Sequence, residues 1–396
     1  MPALRLAVLL LLLLTALPAA AASLPETILY APEALARARQ GVLQRDPALM
    51  PAFRALIKDA DRAVTAPAEA VVLKPAPPPG GTRHDYWSLD PDWWPDPARL
   101  GGRPYKHRPG KRNPEADTDK YDRSRMRRMA ADALTLAQAW FLTGNEQYAG
   151  KGSALVWSWC CDSLTRTAPR LTSGRARPGV ADGDPSGIIE TRDLIKVAEA
   201  ARLLESSKAW NPVETRRLKQ WFEEYVHWLL ENEFGRAEAA APGEHSLWYD
   251  AQVAVFALYA GDKSLARSMV GTLDRRRIGV QIGADGAIAA AGNGPDARRA
   301  AFSCLQALFT LAAVGERLGI DVWRWSLPQT GSVKAAFDRY APSIADPADQ
   351  DGRFEPLAFT PLFHRAALVY EDRRYLNLLG ALPEADRRTD RALLFH

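Results

Sequence analysis

Ser124-Arg-Met-Arg-Arg-Met-Ala-Ala-Asp-Ala-Leu-Thr-Leu-Ala-Gln-Ala-Trp-Phe-Leu-Thr-Gly144 places Met126, Met129, Ala133, Leu136, Ala137 and Trp140 three and four residues apart. That is the repeat of one buried helix face, and Gly144 supplies the stop. Asn145 follows as a cap for a second helix through Tyr148, Leu155 and Trp159. Two helices joined so tightly must run antiparallel. The same reading extends downstream. Asn211, Pro212 and Glu214 supply a cap, a first-turn proline and an acid at the third position. Leu218, Trp221, Phe222, Tyr225, Trp228 and Leu229 then form one face. Further helices are expected from about Ile188 to Glu205, Leu247 to Tyr259, Lys263 to Leu273, Ala297 to Leu318 and Val333 to Tyr340, with a last pair at Leu362–Tyr370 and Arg374–Leu379. Upstream, Pro32–Leu43 and Ala48–Val64 read the same way. Few segments alternate at period two, so the fold class is all-α, a stack of antiparallel helical hairpins. No repeat of fixed period is present, which argues against a consensus solenoid.

The chain ends and bulk properties bound the function. Arg5, the apolar run Leu6–Leu14 and the small residues from Pro18 to Ala22 read as a secretory leader cleaved near Ala22. Its apolar core is roughly nine residues, short of the ~20 that span a bilayer. A soluble periplasmic or secreted protein is therefore expected, without a membrane partner. The formal charge of +4 is too small to argue for nucleic acid, though local basic clusters can steer an anion. Cys160, Cys161 and Cys304 form neither a disulfide framework nor a zinc site. No phosphate-cradling glycine loop, nucleophile elbow or metal-binding histidine pair is present. Neither metal nor cofactor is expected, and nothing bears on the oligomeric state.

Between the N-terminal helices and Ser124 lies a proline-rich connector from Pro67 to Gly81, then an aromatic loop, Asp85-Tyr-Trp-Ser-Leu-Asp-Pro-Asp-Trp-Trp-Pro-Asp-Pro97, continuing to Asn113-Pro-Glu115. Its prolines and glycines argue against regular structure, while its aromatics, Tyr105 included, require burial or a ligand. Trp93 and Trp94 either stack on sugar rings or pin the loop to the helices. Lys106, His107, Arg108, Lys111 and Arg112 make a basic run that is either a rim for an anionic ligand or a solvated loop. Arg175 and Arg177 pose the same choice, solvated loop or carboxylate contact. The organisation is thus a leader (1–22), N-terminal helices and connector (23–82), and a helical domain (83–396).

Several motifs resemble the alginate lyase family. Tyr86-Trp87-Ser88-Leu89, Trp93-Trp94-Pro95-Asp96-Pro97 and Arg112-Asn113-Pro114-Glu115 resemble its first loop, and Ala137-Gln-Ala-Trp-Phe-Leu-Thr-Gly-Asn-Glu-Gln-Tyr148 its first hairpin. Thr165-Arg166-Thr167-Ala168-Pro169 is similar to its Thr-Arg-Met-Asn-Pro, Gly187-Ile188-Ile189-Glu190 to its Gly-Ile-Ile-Asp, and His245-Ser-Leu-Trp248-Tyr249-Asp250-Ala-Gln252 to its Asn-Asn-His-Gly-x-Trp-Tyr-Asp-x-Gln. The resemblance implies an incomplete α/α toroid and β-elimination on a uronate polymer, with an acidic polysaccharide as partner and no metal. His245 matches the family histidine and is the candidate base, with Tyr249 or another tyrosine as the candidate acid. Substrate contact falls to Trp93, Trp94, Tyr105, Arg112, Arg166, Glu244, Trp248, Arg298 and Arg299.

The pattern departs from the family at four places. Glu244 stands where a neutral Asn precedes the histidine, and Ala168 replaces the Asn of Thr-Arg-Met-Asn-Pro. In the segment Ala290-Ala-Gly-Asn-Gly-Pro-Asp-Ala-Arg298-Arg299-Ala300, the family's catalytic Tyr falls at Ala300 and its Arg at Gly294, leaving Arg298 and Arg299 as displaced cations. Two readings follow: a lyase on acidic polysaccharide, or a catalytically impaired relative that binds acidic glycan.

Overall fold

The computed structural model describes residues 24–292, 296–326, 329–345 and 354–396. The expected leader and Gly294 lie outside the described residues. Helices dominate: α1 (Pro32–Leu43), α2 (Met50–Thr65), α3 (Arg123–Thr143), α4 (Glu146–Val156), α5 (Leu194–Leu204), α6 (Pro212–Glu231), α7 (Glu233–Ala240), α8 (Glu244–Ala260), α9 (Lys263–Gly271), α10 (Ala297–Leu318), α11 (Val333–Tyr340) and α12 (Thr360–Val369). They form an incomplete α/α toroid. Helices α3, α5, α8 and α10 make the inner ring, and α4, α6 and α9 return between them along the outside.

Sequence dictates which helix goes where. Every residue of α8 from Ser246 to Tyr259 is buried, so it is covered on all sides. By contrast, α6 buries a single stripe of Leu218, Trp221, Phe222, Tyr225, Val226 and Leu229. Asn211 caps α6 by accepting from Val213 N at 2.8 Å and Glu214 N at 3.2 Å, while Glu214 accepts from Asn211 N at 3.1 Å. A cap of this kind is worth about 1 kcal/mol. Gly144, Gly261 and Gly319 end α3, α8 and α10 in the left-handed conformation, which glycine adopts without steric cost.

Helices α1 and α2 pack into the same core as the ring. Connector residue Lys74 is fully buried against Asp122 (2.9 Å) and donates to the carbonyls of Val71 and Arg83 (both 2.7 Å). The aromatic loop departs from the irregular form expected of it. Strand β1 (Trp87–Leu89) pairs in parallel with β4 (Ser173–Ala176), and β2 (Trp93–Trp94) pairs antiparallel with β3 (Lys106–His107). Trp87, Leu89, Tyr105, Ala116, Tyr121 and Ala176 make a small second core beneath these strands. Cys160, Cys161 and Cys304 are buried free thiols.

Candidate active site

One end of the inner ring collects the charged side chains. Arg127 in the first turns of α3 meets Asp193 at the start of α5 (3.5 Å). Arg192 lies over the ring of Trp248 in α8 at 5.3 Å, and Trp248 Nε1 donates to Ser303 of α10 at 3.0 Å. These contacts string together the N-terminal turns of all four inner helices, so their N–H ends share one face of the toroid. Such ends carry partial positive charge and favour anions. Burial lowers the Arg192 guanidinium against the pull of Asp193 and Glu244, with Arg127 and Arg299 adding to the lowering. All five groups are therefore electrostatic neighbours.

His245 stands in the first turn of α8, its side chain about one quarter exposed (26%). Its Nδ1 is 2.7 Å from Glu238 Oε1. Glu238 belongs to α7, a helix that the sequence pattern did not reveal, and is buried to 2% exposure. Burial raises its carboxyl above the usual glutamate value, opposed by the hydrogen bond and charge of His245 and by Arg175, with Asp184 adding to the rise. From there the polar chain continues to the aromatic loop. Arg177 pairs with Asp184 (2.8 Å) and Asp90 (3.1 Å), Arg175 pairs with Asp90 (3.3 Å), and Arg177 lies over Trp93 at 5.2 Å. Asp90 is buried, so of the two alternatives for Arg175 and Arg177 the solvated loop gives way to carboxylates of the protein itself. Among the described residues, no group of three or more His, Cys, Asp or Glu is placed to hold a metal ion.

The carboxylate at Nδ1 orients the imidazole and leaves the opposite nitrogen, Nε2, uncommitted to Glu238. The arrangement places an imidazole able to exchange protons beside a set of guanidinium–carboxylate pairs.

The other predicted residues distribute unevenly. Glu244, Trp248 and Arg299 belong to the cluster, and Trp93 joins it through Arg177 and stacks on His107 at 5.6 Å. Tyr249 is turned away from the cluster in this structure. It is buried to 4% exposure, and its hydroxyl donates to Leu229 O at 2.9 Å. That contact depends on a tight turn, since a Cβ at Gly235 would stand 1.8 Å from the same carbonyl. Arg298 turns away, donating to Ser343 O (3.0 Å) and stacking on Phe354 (4.1 Å). Tyr105 donates to Glu115 (3.2 Å) within the small core, and Arg112 pairs with Asp117 (2.7 Å). Trp94 donates to Lys111 O (2.7 Å) beneath Arg108. Arg166 contributes its backbone, whose carbonyl meets His84 Nδ1 at 2.7 Å. Glu190 of the Gly-Ile-Ile-Glu motif is buried, accepting from Tyr86 (2.9 Å), Ser88 (2.6 Å) and Arg123.

The family model described as Alginate lyase matches residues 71–350, and the chain belongs to the alginate lyase family. An alginate lyase from Bacteroides ovatus is 28% identical, with 94% of this chain and 99% of that chain covered and a TM-score of 0.85. Alginate lyase A1-III from Sphingomonas species A1 is 13% identical, with 86% and 94% covered and a TM-score of 0.53, a likeness of fold. A variant of A1-III complexed with a tetrasaccharide is 14% identical, with 91% and 94% covered and a TM-score of 0.56. No curated protein matches the chain.

Proposed function

We propose that the protein is an exported lyase that cleaves an acidic, uronate-containing polysaccharide by β-elimination, with His245 as the proton-transfer group. The observation that carries this is the 2.7 Å contact between His245 Nδ1 and buried Glu238, on a ring still 26% exposed. A uronate C5–H is weakly acidic until its neighbouring carboxylate is countered by positive groups. Arg192, Arg299 and the inner-helix N-termini supply that field. Glu244 tempers it, occupying part of the charge of Arg192.

His245 Nε2 takes the C5 proton, the electrons of that bond form the C4–C5 double bond, and the C4–O4 bond breaks. The imidazolium then returns the proton to O4 of the leaving chain. One residue serves both steps because the nearby tyrosines are committed: Tyr86 to Glu190, Tyr225 to Thr191 and Tyr249 to Leu229.

The test is to incubate purified protein with alginate, polyglucuronate and hyaluronan while following ultraviolet absorbance of the unsaturated product. Product from at least one polymer is expected. Saturable binding of a polyuronate with no product from any would replace the lyase with a binding-only relative. Export is checked separately by N-terminal sequencing of the protein recovered from its native cells. A cytoplasmic chain retaining residues 1–22 would end that part of the proposal.

A further inference from the structure

A cavity of about 440 Å³ lies between the C-terminal half of α6 and the loop at Ala168–Arg170, outside the His245 cluster. Its volume falls in the range of small-ligand pockets. Glu224, Trp228 and Glu231 are spaced four and three apart on α6, so they share one helix face. Trp228 is half-buried, with one side of its indole against the ring of Tyr225 (6.1 Å, 13° between planes). His227, Asn232 and Arg170 add hydrogen-bonding groups to the lining, and Ala168 and Pro169 complete it. Asn232 Oδ1 accepts from Phe234 N at 2.9 Å, capping α7 and leaving its NH₂ to donate elsewhere. An indole wall surrounded by carboxylates and an amide matches a pyranose ring, whose C–H face stacks while its hydroxyls donate and accept.

Charge decides which pyranose. The Arg170 guanidinium is paired with Asp85 at 2.7 Å and Glu231 is likewise met by a cation, leaving Glu224 to set the local sign. Among the described residues Glu224 accepts from the neutral amide of Gln220 (2.9 Å), and Glu231 pairs with exposed Arg236 (3.4 Å). A uronate would meet like charge here, a repulsion that works against the wrong ligand. We infer that this cavity is a subsite for an uncharged pyranose residue, a hexose or N-acylhexosamine. It stands beside the elimination site. Tyr225, on which Trp228 stacks, bonds Thr191 through its hydroxyl at 2.7 Å, and Thr191 precedes Arg192. Resting on the lyase reading above, the inference makes the substrate a mixed polymer that alternates or intersperses uronate with uncharged sugar.

The experiment titrates the full chain with cellotetraose, tetra-N-acetylchitotetraose and a mannuronate tetramer, read by calorimetry and indole fluorescence. The chain, Trp228→Ala, Glu224→Gln and His245→Ala are compared, each checked for folding by circular dichroism. At least one uncharged oligosaccharide is expected to bind saturably, at least 10-fold more weakly in Trp228→Ala and Glu224→Gln and unchanged in His245→Ala. Glu224→Gln keeps the test decisive should Trp228→Ala misfold. Absence of uncharged-sugar binding, or binding that survives in both pocket variants, overturns the subsite. Elimination is scored independently with polyuronates. A protein that binds the uncharged sugar at Trp228 but never forms unsaturated product would lose the lyase reading and retain the pocket.

Discussion

Glu199 and Glu238 are two carboxylates buried to 1% and 2% exposure in the same toroid, and burial raises both above the usual glutamate value. Glu199, in α5, gives its oxygens to the backbone N–H groups of Ile28 (2.8 Å), Leu29 (3.1 and 3.2 Å) and Tyr30 (3.0 Å). Those donors cannot titrate or turn, so the contact is a clasp that fixes the N-terminal segment. Glu238 instead holds one side-chain nitrogen of a histidine that solvent reaches. Burying a carboxylate is costly in either place. In the first the cost is offset by three fixed dipoles, in the second by a single partner whose protonation can change. The difference separates a device that holds the chain together from one that orients a proton carrier.

His245→Ala should break the second device outright. If the ring transfers the proton, kcat/KM on the responsive polyuronate falls by roughly 10³-fold or more, while Tm moves little because the side chain is partly exposed. Unchanged turnover would place the base elsewhere.

Glu238→Gln sharpens the contrast. An amide oxygen can still accept from Nδ1–H, so folding is preserved, but the imidazolium formed in the reaction loses its anion. A drop of about 10- to 100-fold in kcat/KM is expected, smaller than loss of the anion in a fully buried triad. The pH profile carries the sign. As pH falls through Glu238's raised value the carboxylate protonates and activity declines, a limb that the glutamine variant lacks. Stability runs the other way. A raised carboxyl contributes below its unfolded value and loses that contribution as pH rises through the folded one. The variant's Tm near neutrality should therefore equal or slightly exceed the parent's. A large fall in Tm with an unaltered profile would make Glu238 a second clasp.

Glu199→Gln is the converse. Its NH₂ must face at least one of three inward N–H donors, costing about 1–2 kcal/mol and roughly 1–3 °C in Tm for a chain of this size, with turnover untouched. Calorimetry beside the absorbance assay checks both halves.

The toroid was largely written in local pattern. Helices α10 and α11 occupy the residues expected of them from the sequence pattern, because a helix is encoded by neighbours along the chain. Glu238 was missed because α7 is an eight-residue, alanine-rich helix that buries only Gly235 and Glu238, too little for an apolar repeat. Asn232 accepting from Phe234 N was the available cap signal. Tyr249 was misassigned for the opposite reason. Its helix is buried on every side, so spacing says nothing about which neighbour meets the hydroxyl. Arg175 and Arg177 needed knowledge of Asp90, which stands more than eighty positions away in sequence and reaches them through the β1–β4 pairing.

Trp93 is the most finely balanced case, since it both contacts the small core and stacks with Arg177 and His107. Were it only a pin, Trp93→Ala would lower Tm and leave glycan affinity alone. Arg177, however, keeps its ion pairs to Asp90 and Asp184 without the indole, and Asn113 holds the backbone through Trp93 O at 2.9 Å whatever the side chain. The loop should therefore survive with a change of a degree or two. A half-buried indole offering a face to sugar is worth about 0.5–1.5 kcal/mol. The dissociation constant for a uronate oligosaccharide should then rise about 2- to 10-fold, measured by calorimetry on the inactive His245→Ala background so that no product accumulates. Unchanged affinity with a fall of many degrees would reassign Trp93 to the loop core and leave Arg175 and Arg177 to carry the link from Asp90 of the aromatic loop to the elimination site.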